Sequence, residues 1–179
     1  PEFNNEFGDA PLSAQDLNRH ISHDIGAAAV SMLLTERLPA HAFLANVSRL
    51  VVDLNRSAEC EDVIHEISDG TVLPFNQNLD EGQRAARLMR YHLPYHLALG
   101  AIIREHLEKH GDKAAEKITG ILVHSFTPCL SCTNEQRKMH IGLLWCDDEH
   151  TAKKLKSWLE ANTDYVIGDN EPYTAFSDA

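Results

Sequence analysis

Ile118-Thr-Gly-Ile-Leu-Val-His-Ser-Phe-Thr-Pro128 is an apolar run that ends abruptly in a histidine, a serine and a proline. Its length and β-branched content make Ile118 to Val123 a candidate buried strand. Pro128 then blocks any continuation of a ladder. In open α/β sheets, ligands bind beyond the carboxyl ends of the strands. His124 stands where such an end is expected, and an imidazole there suits a metal ligand or a general base. The plain alternative is a core histidine hydrogen-bonded to backbone.

Outward from this stretch, strand-like and helix-like segments alternate. His41 to Val47 and Arg49 to Arg56 read as strands, the second with the β-branched core of a central one. Asp53, Asn55 and Arg56 cluster where its apolar run stops. Met139 to Trp145 and Tyr165 to Ile167 read as two more. Ser13-Ala-Gln-Asp16 has the shape of a capping box. Asp24 is placed to cap the next helix, whose face would be Ile25, Ala28, Ala29, Met32, Leu33 and Leu38. Asp80 to His110 keeps a helical period through Leu88, Tyr91, Tyr95, Leu99, Ile102, Ile103 and Leu107, with Gly111 at its end. Pro94 should kink or divide it. Thr151 to Asn162 is a further helix, with Leu155, Trp158 and Leu159 inward. Residues 57–79 offer only Ser, Asp, Gly, Pro and Asn punctuation and read as a long loop. The alternation predicts one α/β domain over residues 1–179 with a mixed, largely parallel central sheet.

At 179 residues, 43% hydrophobic and 24% charged, the chain is long enough for one sizeable core. A net charge of −11 argues against general affinity for nucleic acid or an anionic membrane. It leaves room for a small anionic substrate, since a local arginine can reverse the field inside a cleft. No stretch approaches the roughly 18 apolar residues of a membrane span, and the first residues lack a signal pattern, so a cytoplasmic location is expected. Cys129-Leu-Ser-Cys132 is a lone CxxC without a second pair, and reads as free thiols rather than a zinc or redox site.

Five stretches stand in a shared register: Asp16, His20, Ile21, Asp24, Ile25 and Gly26; Val52-Asp-Leu-Asn-Arg56; Val123-His-Ser-Phe-Thr-Pro128; Met139-His-Ile-Gly-Leu-Leu-Trp145; and Asp169-Asn-Glu-Pro-Tyr173. In order and spacing they resemble the N-formylglutamate amidohydrolase family, from about residue 6 to residue 175. That family is similar in fold to zinc-dependent exopeptidases. The Asp-Leu-Asn-Arg and Ile-His-Ser segments of zinc carboxypeptidases look like Asp53–Arg56 and Val123–Ser125.

The resemblance implies a three-layer α/β/α, phosphorylase/hydrolase-like domain holding one divalent ion, zinc. His124 would be a metal ligand in an open site that also holds water. Zinc lowers the pKa of such water to about 7. Asp24 is expected at the same metal site, at the cleft rim or hydrogen-bonded behind the ligand, with its helix-capping role as the alternative. Asn55 and Arg56 would hold the substrate carboxylate, Arg56 through a bidentate fork. His140 either faces the cleft or packs in the core, and Glu171 either contacts substrate or shapes a turn. The activity implied is hydrolysis of the amide C–N bond of N-formyl-L-glutamate, to formate and L-glutamate. A related zinc exopeptidase or N-acyl amino acid deacylase is the nearest alternative, and a non-catalytic module binding an acidic metabolite is the next. Family members also carry an earlier strand ending in a histidine motif and a later strand carrying an acidic residue like the carboxypeptidase general base. Neither is present in these 179 residues, so the chain reads as an incomplete domain whose general base lies outside it.

Overall fold

The computed structural model describes residues 12–111, 118–129 and 136–173. They belong to two compact units, Pro1–Phe126 and Thr127–Ala179.

The first unit starts with a short helix α1 (Ala14–Leu17). The Ser13 hydroxyl accepts from the Asp16 amide at 3.0 Å and donates to its carboxylate at 2.7 Å, which is the capping arrangement the sequence suggests. Helix α2 (Ala27–Arg37) follows, with Gly26 at its N-cap in the left-handed region, φ 84°. No side chain caps this helix, so the expected capping role of Asp24 is not observed. The predicted apolar face of α2 is uncovered among the described residues: Ile25, Met32, Leu33 and Leu38 are all exposed.

The core lies at Leu50, Val51, Val52 and Leu54, which pack with Val63, Ile64 and Leu73. Full burial of such side chains stabilises by about 1.5–3 kcal/mol each. Residues 57–79, expected to be a loop, therefore supply three of the eight buried apolar side chains among the described residues. They hold a 3-10 turn (Glu61–Val63), an antiparallel hairpin of β1 (Ile67–Ser68) and β2 (Thr71–Val72), and a second 3-10 turn (Pro74–Asn76). Buried Asn76 donates to the carbonyl of Leu50 at 2.8 Å, joining the two segments where no ladder does. Residues 41–47 and 49–56, expected to be strands, form none. The second is a chain of turns, with the Val51 amide on the Ser48 carbonyl and the Arg56 amide on that of Asp53. The Asp53 amide reaches the Val63 carbonyl at 2.7 Å.

Helix α3 (Glu81–Arg87) opens with a complete capping box between Asp80 and Gln83. Residues Leu88–His92 widen into a π turn and α4 (Leu93–His110) continues from it. The predicted disturbance at Pro94 takes this form: the proline falls in the first turn of α4, where its missing N–H costs little, and the widened turn absorbs the ring. Leu88, Tyr91 and Tyr95 pack against the core as the period predicts, while Ile103 and Leu107 are exposed. Residues 118–124 also form no strand pairing among the described residues, and Ile121 and Leu122 are exposed.

In the second unit, β3 (Ile141–Leu143) pairs in parallel with β4 (Ile167–Asp169), connected by helix α5 (Glu149–Asn162). Both strands fall within or beside the predicted ones, and Trp158 on α5 is exposed rather than inward. Cys132 lies outside the described residues.

The chain is thus a mixed α/β protein, with helices and two small sheets among the described residues. The large, mostly parallel sheet expected from sequence is not formed by the described residues. Two-stranded pieces are what remain when apolar segments such as 118–124 find no ladder neighbour among the described residues.

Candidate functional site

Two buried serines set the geometry of the first unit. Ser48 Oγ donates to the Ser22 carbonyl at 2.7 Å and accepts from the Leu50 amide at 3.2 Å. This ties the segment carrying Asp24 to the segment carrying Arg49 and Asp53. His124, a hundred positions along the chain from Asp24, arrives with Nδ1 at 2.6 Å from Asp24 Oδ2. The sequence picks out both residues, and the structure brings them together.

A carboxylate accepting from Nδ1 fixes the imidazole tautomer and turns Nε2 outward. The Asp24 hydrogen bond raises the His124 pKa above the ordinary histidine value, against the opposing effect of burial. Arg49 stands beside the pair, with Nη1 at 3.9 Å from Asp24 Oδ1 and Nη2 at 2.7 Å from Asp53 Oδ2. Asp53 is the hub. Burial alone would raise its carboxyl, but His65 at 3.5 Å, Arg49 and the Asn55 amide at 3.0 Å together hold it far below the usual carboxylate range.

Asn55 and Arg56 leave the core directly after this hub. The Asn55 side chain is exposed. Arg56 directs Nε toward Asp53 at 3.7 Å and Nη1 to Asp62 at 3.2 Å. Burial opposes its charge, while the Cys60 thiol and the two aspartates reinforce it, so that its pKa is raised and it stays cationic. Nη2 makes no hydrogen bond to a described residue. An open cleft of about 390 Å³ lies against this turn, lined by Asn55, Arg56, His92, Tyr95, His96 and Leu122 among others.

His140 and Glu171 belong to the second unit. His140 Nδ1 accepts from the Val166 amide at 2.9 Å, beside the β3–β4 ladder, and its ring leans on Tyr165. The Glu171 carbonyl sits over two glycines: a Cβ at Gly142 would lie 2.3 Å from it and one at Gly168 2.9 Å. The loop is further held by Asp169, which accepts from Trp145 Nε1 at 2.7 Å and Lys156 Nζ at 3.1 Å.

Arg49, His65 and His92 were not singled out by sequence. Arg49 was detectable in principle, since it precedes Asp53 by four residues and ends the polar side of the same apolar run. His65 and His92 carry no such signal, because their partners are distant in the chain. Among the described residues, no group of three His, Cys, Asp or Glu side chains could hold a metal ion. One imidazole nitrogen with an orienting carboxylate does fit one position of a zinc centre, which normally takes three protein ligands.

The fold is shared with a solved protein. The crystal structure of gene product Atu2144 from Agrobacterium tumefaciens superposes with a TM-score of 0.83 at 30% identity, covering 97% of this chain. The chain spans 66% of that protein's length. No curated protein matches. The family model for N-formylglutamate amidohydrolase matches residues 2–177, and the chain belongs to that family.

Proposed function

We propose that the protein hydrolyses the amide C–N bond of a small N-acyl amino acid, with N-formyl-L-glutamate as substrate and formate and L-glutamate as products. The observation that carries this reading is the His124–Asp24 pair, joined through Arg49 and Asp53 to the Asn55–Arg56 turn. Membership of the family supports the substrate class.

His124 would offer Nε2 to one zinc ion, with Asp24 holding Nδ1–H and so the ring's direction. When bound, the ion would supply Lewis-acid polarisation of the scissile carbonyl and an acidified water. Arg49 bridges two carboxylates and offsets the repulsion between Asp24 and Asp53 as like charges. Arg56 would meet the substrate carboxylate through Nη2, with Asn55 donating beside it. His140 would contact substrate through Nε2, and Glu171 through its exposed carboxylate. The domain would be a three-layer α/β/α one with a mixed, largely parallel central sheet. A cytoplasmic setting suits a small soluble metabolite as substrate, and no helix among the described residues is long and apolar enough to cross a membrane.

The test is metal content and turnover of the complete protein. Bound zinc and formate release, both lost in His124→Ala, support the reading. Zinc retained in that variant removes His124 from the metal site.

A further inference from the structure

The turn that presents Asn55 and Arg56 is held from behind by two histidines of the long helix. His92 is buried, and its Nε2 lies 2.8 Å from the Arg56 carbonyl. One helical turn on, His96 Nε2 lies 3.1 Å from the Leu54 carbonyl, and the two rings stand 4.3 Å apart. Both acceptors are carbonyls, so both imidazoles must be in the Nε2–H form to donate. The two hydrogen bonds grip the peptide unit that precedes Asn55 and the one that follows Arg56. His92 sits in the π turn and His96 in the first turn of α4, so the widened turn sets the register that lets both rings reach one backbone segment.

We propose that His92 and His96 are positioning residues for the anion-binding turn, fixing the backbone of residues 54–56 so that Asn55 and Arg56 converge on one carboxylate of the substrate. This rests on the reading above that these two residues bind that carboxylate. The remaining restraints act on the turn's amides and side chains, with Asp53 accepting from the Asn55 and Arg56 amides, and among the described residues only the two histidines hold the carbonyls of Leu54 and Arg56. The Asp53 contacts fix where it starts, and Asp62 contacts Arg56 from an exposed position. Without His92 the Arg56 carbonyl would be unpaired beside a buried ring position, and the turn would swing to find water.

The experiment compares His92→Leu, His92→Gln and His96→Leu in the complete, zinc-loaded protein. A glutamine amide can donate to the same carbonyl. Amide hydrogen exchange over residues 54–58 should quicken by about tenfold in His92→Leu, the effect of losing one hydrogen bond of ordinary net worth. His92→Gln should restore most of the protection, and exchange in α5 should not change. KM for N-formyl-L-glutamate should rise by about the same factor with kcat little altered, as expected for lost uniform binding. Unchanged exchange over 54–58 overturns the proposal, as does a loss in kcat without KM that glutamine fails to rescue. If the exchange results hold while wild-type protein releases no acyl group, the substrate reading fails and the backbone clamp stands.

Discussion

Asp24 lies two residues before the N-cap of a helix, yet its carboxylate turns to an imidazole a hundred residues away. A cap would contribute about 1 kcal/mol of helix stability. Orienting a ligand matters differently: loss of such a carboxylate typically lowers metal affinity by about 10–100-fold. Asp24→Ala in the complete protein should therefore weaken zinc binding by that factor in a chelator competition, with a small change in melting temperature. Equal zinc affinity with a loss of helix would return Asp24 to a structural role. Asp53 makes a prediction of another kind. Its carboxyl is depressed in the folded state, so its contribution to stability is complete above the unfolded value near 3.9 and is lost as pH falls below it. Wild type should lose melting temperature more steeply than Asp53→Asn as pH is lowered from about 5 toward 3. Parallel pH curves would contradict this.

Two elements show how local polarity conceals packing. The stretch from Ser57 to Leu79 looks like a surface loop because Asp, Ser, Gly and Asn surround its apolar residues. Val63, Ile64 and Leu73 are nevertheless buried there, spaced too irregularly for either helical or strand periodicity to reveal them. Leu73→Ala should cost about 2–5 kcal/mol, the usual penalty for emptying a core leucine site, measurable by urea unfolding. A change within about 0.5 kcal/mol would mark the stretch as the loop its composition suggests. In the second unit, Gly142 leaves no room for a side chain, since a Cβ would meet the Glu171 carbonyl at 2.3 Å. Gly142→Ala should displace the 169–173 loop and lower stability. Gly100→Ala, where the nearest atom is the flexible end of Arg104 at 3.5 Å, should be tolerated or stabilising by up to about 1 kcal/mol. Thermal melts of the two variants check the difference.

For the molecule as a whole, the sequence made the family more legible than the architecture. The Asp53–Arg56 and Val123–Ser125 segments could be recognised because their residue types and their order along the chain match the family's. The helices were legible for a different reason, since apolar spacing from Leu88 to Leu99 and the signals at Asp80, Pro94 and Gly111 are local. Strands were not. Whether Ile118–Val123 pairs depends on a neighbour that no local pattern names, and the described residues supply none. The histidines that support the Arg56 turn were also hidden, because nothing local to His92 or His96 names the carbonyls of residues 54 and 56 that the fold places opposite their rings. Uncovered Ile25, Leu33, Ile121 and Trp158 show how much apolar surface remains open on these residues. The measurement that bears most directly on function is formate release from N-formyl-L-glutamate by the complete, zinc-loaded protein, beside its His124→Ala variant. One formate per glutamate from the wild type and none from the variant is the expected result. Zinc-loaded wild type that releases no formate, and no acyl group from acetyl or peptidyl glutamates, would contradict it.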